Sequence, residues 1–409
     1  MGHSPQYGPP LPSPGIVVGV GVRIGCGLST EPDARGGAVQ AAAAARDGLA
    51  GGSADVALVF AAGAHLAAPE TTLQAVHDVL APDALAGCGA GGVLAEEREV
   101  EGGNAIAVWA ADLAGGRAQT FHSRATPAEG GVAISGLPDL TGAACCLLLP
   151  DPLSFPTEGI LGELHRRAGG VPVLGGLASA RTAEGAAVLF CDDQVVEAGA
   201  VGVRLDDVEL LPCVSQGAAV VGPELTVTAG GARRIEELDG FAALTVLRDV
   251  VDALPGPERA RARSGLLLGM RMDETPLPDE VPPSDAYQLV GLAGAEQSTG
   301  VLAVGAPVEP GLRVRLHVRD ADSADRDLHD ALALRRAALG EQRPAGALMF
   351  TCNGRGAGLF GAPDHDARVL AQELDAPAAG FFAAGEIGPV GGRPALHGFT
   401  ATVAVFAGG

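Results

Sequence analysis

Two glycine-dense stretches near the C-terminus hold the side chains best suited to chemistry. An apolar run, Ala347-Leu-Met-Phe-Thr351, leads into Cys352-Asn-Gly-Arg-Gly356. Further on come Gly380-Phe-Phe-Ala-Ala-Gly385-Glu386-Ile-Gly388-Pro and His397-Gly-Phe-Thr400. Glycine costs backbone entropy, so this density needs tight turns or close approach of the backbone to a ligand. Three readings of the first loop stand side by side. Its N–H groups, from Asn353, Gly354 and Gly356, together with Arg355, would hold an anion. A thiol beside Arg355 would have a lowered pKa, making Cys352 a nucleophile with His365 or His397 as base. The plain alternative is a turn with a small buried cysteine. Glu386, set in an apolar Gly-rich turn, would bind an amine or accept backbone N–H bonds. His397 is expected to make a structural hydrogen bond, and His365 to be a solvated residue of a helix's first turn. Neither histidine has metal-ligand spacing, so no metal site is expected.

Strands must deliver these loops, and the sequence shows how. Three segments share one plan: strand, helix, strand into a Gly-rich turn, final strand. They run from Asp55 to Ala110, Cys145 to Leu205 and Ala347 to Phe406. Helices are expected around Glu70–Leu80, Gly159–Ala168 and Asp364–Leu374. Continuous apolar strands alternating with helices predict an α/β protein with mixed, partly parallel sheets. The region from Arg263 to Arg319 reads as antiparallel β, with Leu312-Arg-Val-Arg-Leu-His-Val318 alternating like a half-exposed strand. A helix is expected over Ile235–Leu247, capped by Asp239, with two lobes meeting near 225–240. The run Glu96–Glu101 reads as a solvated face or hairpin, with Glu99 and Glu101 on one face if extended.

Composition bounds the function. The chain has 409 residues, a net charge of -22 and 27 basic residues, every one of them arginine. That bias fits a GC-rich bacterial genome. An acidic surface repels nucleic acid and anionic membranes, so neither is expected as a partner. Without lysine there is no Schiff-base chemistry and no P-loop. Hydrophobic residues make up 47% but aromatics only 3%, so small aliphatic side chains must build a close-packed core. Seven cysteines, mostly within apolar runs and without a CxxC pair, fit reduced thiols in a cytosol. No apolar run reaches the roughly 18 residues of a membrane span. The Pro/Gly/Ser-rich residues 1–14 read as a disordered tail.

The chain resembles the FIST family. The resemblance rests on Ala86-Gly-Cys88-Gly-Ala-Gly-Gly-Val, Arg98-Glu-Val-Glu101, Leu174-Gly-Gly-Leu, Val214-Ser-Gln-Gly217, Glu237-Leu-Asp-Gly240 and the C-terminal motifs above, in that order over residues 50–407. It implies an N-terminal FIST domain over 15–230 and a FIST_C domain over 231–409. It further implies a sensory role in signal transduction, with a small, amino-acid-like or other polar ligand. No kinase, cyclase, chemoreceptor or F-box segment is present, so a separate signalling partner must supply the output. Binding is favoured over catalysis, and no residue is assigned a catalytic role. The expected ligand contacts are Cys352 to Gly356, Gly385, Glu386, Gly388, His397 and Cys88, with Arg355 taking a carboxylate and Glu386 an amine. No cofactor is expected. The alternatives are an enzyme that uses Cys352 and a haem-binding gas sensor using one of the nine histidines.

Overall fold

The computed structural model describes residues 21–272 and 287–408; the N-terminal tail lies outside them. A strand, β1 (Arg23–Ser29), and a helix, α1 (Ala34–Gly48), precede the first module. That module comprises β2 (Val56–Ala62), α2 (Pro69–Leu80), β3 (Ala84–Gly89), a hairpin of β4 (Val93–Ala95) and β5 (Arg98–Val100), and β6 (Ala105–Asp112). Strands β7 (Arg117–Ala128) and β8 (Gly131–Ser135) lead to the second: β9 (Cys145–Pro150), α3 (Thr157–Arg167), β10 (Val173–Gly176), a hairpin of β11 (Leu189–Cys191) and β12 (Gln194–Val196), and β13 (Ala200–Asp206).

After β14 (Leu210–Ser215) the chain builds its second lobe. This contains β15 (Ala218–Gly231), β16 (Arg234–Leu238), β17 (Phe241–Ala242), α4 (Ala243–Ala253), α5 (Gly256–Ser264), β18 (Leu266–Arg271), β19 (Tyr287–Glu296), β20 (Val301–Val304) and β21 (Arg313–Arg319). Helix α6 (Ala321–Ala338) returns to the third module: β22 (Pro344–Cys352), α7 (Ala357–Phe360), α8 (His365–Leu374), β23 (Ala378–Ala383), a hairpin of β24 (Glu386–Val390) and β25 (Arg393–His397), and β26 (Ala401–Ala407).

The three modules share one pairing scheme. Each first strand runs parallel to the second and antiparallel to the last. A further strand (β1, β7 or β14) flanks each last strand. Each hairpin leaves its own sheet and extends another: β4 pairs with β23, β11 with β3, and β24 with β10. The exchange is cyclic, so no sheet is complete without a second module.

Glycine makes the parallel pairing possible at one equivalent position in each module. A Cβ on Gly87, Gly175 or Gly380 would lie 2.0, 1.9 or 1.7 Å from the carbonyl oxygen of Val59, Leu148 or Met349. Inward-facing side chains of all three sheets then fuse into a common core. Phe60 stacks on Phe381 at 4.9 Å, Trp109 meets Phe406 at 5.1 Å, and Leu147, Leu149 and Val203 fill the rest. Helices cover the outer faces, which is why the strands read as unbroken apolar runs.

The second lobe is antiparallel throughout, in the order β15-β21-β18-β19-β20-β16-β17. Because β15 also pairs with β16, six strands close on themselves around their own core. One expectation is corrected here. Residues 235–238 are strand, not helix; Asp239 and Gly240 have φ of 49° and 82° and turn the chain into β17. An Asp-Gly pair with positive φ at both positions is a hairpin signal. It overrides the helical spacing of Ile235, Leu238 and Phe241, and helix begins only at Ala243.

Candidate functional site

Strand β22 ends at Cys352, and the loop after it is clamped on every side. Cys352 N–H donates to Thr400 O at 3.0 Å, and Asn353 N–H to Ala383 O at 3.0 Å. Gly354 N–H donates to Cys352 Sγ at 3.3 Å and Arg355 N–H to Cys352 O at 2.8 Å. The donors expected to face an anion at Asn353 and Gly354 are thus taken up within the fold. Gly356 has φ +83°, and a Cβ there would lie 2.5 Å from Glu101 Oε2. Glu101 Oε1 accepts Ala357 N–H at 2.7 Å, while Glu99 Oε1 accepts Ala367 N–H at 3.0 Å. The charge run of the first module is therefore a hairpin edge whose Glu101 holds the exit of the Cys352 loop and whose Glu99 holds the first turn of α8. Burial, then the neighbouring Asp366 charge, raises the Glu99 pKa to about 7.

Arg355 is buried, and its fork meets Asp366 of α8: Nε to Oδ2 at 2.8 Å and Nη2 to Oδ1 at 2.9 Å. Thr351 Oγ1 donates to the same carboxylate at 2.8 Å, and His365 Nδ1 lies 3.0 Å from it. Burial alone would raise the Asp366 pKa. The Arg355 guanidinium and these hydrogen bonds outweigh it and hold the carboxyl well below its usual range. His365 is not the solvated residue expected. It stacks on Phe360 at 3.4 Å and its Nε2 reaches Asp325 at 2.9 Å, because the loop folds back over the helix start. Burial works to lower the His365 pKa, and its bonds to Asp366 and Asp325 outweigh that.

Glu386 opens β24 and is fully buried. Its Oε2 accepts Thr400 N–H at 3.0 Å and Thr400 Oγ1–H at 2.9 Å. Burial still dominates and pushes its pKa up to about 8. Cys352 lies beside it; burial and then the Glu386 charge push the thiol up to about 12. The lowered thiol pKa expected from Arg355 is corrected by this arrangement, because that guanidinium is committed to Asp366. His397 sits opposite Glu386 in the β24–β25 pairing, and its Nε2 meets Gly388 O at 3.2 Å. Burial lowers its pKa to about 4, so the ring is neutral at pH 7.

Several buried polar atoms here have no hydrogen-bond partner: Arg355 Nη1, Glu386 Oε1, His397 Nδ1, Ser215 Oγ, Gln216 Oε1 and Thr402 Oγ1. Backbone shape brings them close. A Cβ on Gly217 (φ +61°) would lie 2.5 Å from Arg355 Nη1, and one on Gly388 would lie 2.8 Å from Thr402 Oγ1. A Cβ on Gly385 would come 3.0 Å from Leu177 Cδ1 and 3.1 Å from Leu396 Cδ1, so those side chains would have to give way. Cys88 is elsewhere: it lies within β3, in the common apolar core. Sequence reasoning singled out Arg355 and Glu386 but not their partners Asp366 and Thr400. The acidic Asp364-His-Asp366 at a helix start was the available signal for Asp366.

The lobes border a cleft of about 990 Å³. Helix α3 and residues Arg393–Leu396 of β25 form one wall; the ends of β18, β19 and β21 form the other. Gln288 Nε2 donates across it to Leu396 O at 2.7 Å. The lobes also meet where Arg319 binds Gly354 O and where Gln216 Nε2 donates to Tyr287 O. Strand β25 thus lines the cleft with Arg393–Leu396 and ends at the buried His397. Among the described residues no group of His, Cys, Asp or Glu is arranged to hold a metal ion. Nor is any helix among them long and apolar enough to cross a membrane.

Comparison with known proteins places this architecture. The chain is 42% identical over 388 residues to uncharacterized protein Rv0628c of Mycobacterium tuberculosis, covering 94% of this chain and 100% of that protein. It is 41% identical over 388 residues to uncharacterized protein Mb0898c of Mycobacterium bovis, covering 94% and 99%. The FIST N domain matches residues 55–240 and the FIST C domain residues 243–389, including the Cys352 loop and Glu386. The chain belongs to the FIST family.

Proposed function

We propose that this protein is a sensor that binds a small polar molecule in the cleft between its lobes and passes the signal to a separate partner protein. The cleft carries this reading. Its volume of about 990 Å³ matches the roughly 300–1,000 Å³ of small-molecule sites, which favour the junctions of domains. The polar cluster of Cys352–Gly356, Glu386 and His397 reaches the cleft wall through β25, where His397 follows Leu396 and pairs with Glu386, and it meets the second lobe where Arg319 binds Gly354 O. Arg355, already paired with Asp366, positions this cluster rather than gripping the ligand with its charge. Association of FIST domains with sensing in signal transduction supports the reading, and seven unpaired thiols suit a reducing cytosol. The reading requires no cofactor.

The test is titration calorimetry of the full chain with a panel of amino acids and small organic acids, beside Gly162→Trp. Gly162 lines the cleft from an exposed helical position where a Cβ meets nothing within 4 Å. Saturable binding that Gly162→Trp abolishes is expected; binding unchanged in that variant would refute the cleft as the site. The rival reading, a Cys352 nucleophile, requires fast alkylation at neutral pH. A thiol pushed up to about 12 is expected to label slowly with iodoacetamide.

A further inference from the structure

The hairpin of β7 and β8 runs out past the sheet that roots it. Strand β7 pairs with β13 only as far as Ser123. From Arg124 to Ser135 the two strands pair with each other alone, and β8 is the last strand of its sheet. The register shows which backbone groups are left over. A two-residue turn, Glu129-Gly130, joins Ala128 to Gly131 and makes them a hydrogen-bonded pair. Such pairs alternate along antiparallel strands, so Thr126–Ala133 and Arg124–Ser135 are the others. Pro127, which has no N–H, falls opposite Val132, where no donor is needed. The N–H and C=O groups of Val132 and Ile134 therefore point away from β7, and among the described residues no hydrogen bond reaches them from outside the hairpin. Two other sheet edges are blunted: Glu99 N–H of β5 donates to Asp364 Oδ1 at 2.8 Å, and Pro212 O of β14 accepts Arg335 Nε–H at 2.7 Å. Bare edges commonly carry charges that discourage pairing with another chain. Residues Gly131 to Ser135 carry none, on a chain of net charge -22. Val132 is 56% exposed. With Ile134, Leu137 and Ile160 of α3 it borders a groove of about 450 Å³. Among the described residues bordering that groove the one carboxylate, Glu163, is held by Arg166 and Arg167.

We propose that β8 pairs with β8 of a second copy of this chain, antiparallel about a twofold axis at Ala133. This register sets Val132 opposite the copy's Ile134 and Ile134 opposite the copy's Val132, so the outward N–H and C=O groups bond reciprocally. Ala133 meets the copy's Ala133 in a close, non-hydrogen-bonded pair, where only methyl groups must fit. Gly131 lies opposite the copy's Ser135. The β-branched side chains form cross-strand pairs on the groove face, which covers Val132. Charge favours a copy at this edge: every opposed residue is uncharged, and the carboxylate beside the groove is already paired. Two acidic molecules can thus meet here without like charges in direct contact. The contact is isologous and closes on itself, giving a dimer whose sheets run on across the axis.

The experiment is sedimentation velocity on the full chain. A contact this small belongs with weak interfaces, so monomer is expected at about 1 μM and dimer at about 200 μM. Raising salt from about 50 to 300 mM screens the repulsion between the acidic bodies and is expected to tighten the dimer about threefold. Val132→Pro removes an outward N–H that the pairing needs and leaves the bonds to β7 in place. Val132→Glu sets like charges on diagonal positions across the axis, and carries the test should the proline disturb the hairpin. Each is expected to weaken the dimer about tenfold or more with the circular dichroism of the monomer unchanged. The register has its own test. The Cα atoms of a non-hydrogen-bonded pair lie about 4.5 Å apart, within reach of a disulfide. Ala133→Cys is therefore expected to give a disulfide-linked dimer with diamide, while Thr126→Cys on the far strand is not; the native thiols are buried or half-buried. A chain that stays monomeric throughout leaves this edge to residues 1–20 or to a different protein, and overturns the proposal. So does a dimer that both Val132 variants retain, a dimer that salt loosens, or cross-linking of Thr126→Cys as fast as that of Ala133→Cys.

Discussion

Arg355 and Asp366 are both buried, and each compensates the other. Removing one member of such a pair leaves an isolated buried charge. Asp366→Ala is therefore expected to lose about 3–5 kcal/mol, while Arg355→Met combined with Asp366→Leu recovers most of it, as measured by urea denaturation. The Asp366 pKa is depressed in the fold, so its contribution is full above about pH 4 and drains as pH falls below that. Glu386 behaves oppositely. Its folded pKa is raised to about 8, so the folded state holds a proton that the unfolded state releases. Stability then declines as pH rises from about 4.5 to 8. Glu386→Gln is expected to flatten that decline, read as Tm against pH; an unchanged slope would refute the assignment. Sequence alone marked both charged residues because they stood among glycines. It did not supply Asp366 or Thr400 as their partners, because those groups come from a helix start and from the entry to β26, whose approach depends on how the chain turns.

At the scale of elements, the three strand–helix–strand modules were legible, because strands covered on both faces leave continuous apolar runs. The hairpin exchange was not. A short hairpin such as Val93–Val100 carries no sequence mark of the sheet edge it will join. The helix expected at 235–247 failed for a local reason, the positive-φ turn at Asp239-Gly240. Equivalent glycines test the module picture. Gly87→Ala and Gly380→Ala each force a methyl group into a neighbouring strand's carbonyl oxygen. Each is expected to destabilise by at least the about 1–3 kcal/mol of ordinary overpacking, seen as lost soluble yield or lowered Tm. By contrast, Gly162→Ala on the exposed face of α3 should be neutral or slightly stabilising.

At the scale of the whole molecule, the two family domains are consecutive in sequence but interleaved in space. Residues 55–240 contain β4–β5, whose pairing strand β23 lies in the C-terminal part, and β10, whose edge is covered by β24. A fragment ending at 240 is expected to be insoluble or loosely packed. Co-expression with 241–409 should restore a single complex with cooperative melting, checked by size exclusion and circular dichroism. Independent folding of the 1–240 fragment would contradict this.

The cyclic exchange of hairpins also bears on how the protein is made. Hairpin β4–β5 leaves the ribosome early, yet its sheet edge stays unpaired until residue 378 and beyond have been synthesised. At about 5–20 residues per second, that interval is on the order of tens of seconds. For that time the nascent chain carries open strand edges, which chaperones bind and which other chains can capture. Final closure therefore belongs to the last moments of synthesis. A slow stretch of codons before residue 378 would lengthen exposure, while rapid delivery of the closing strands would favour the native ring.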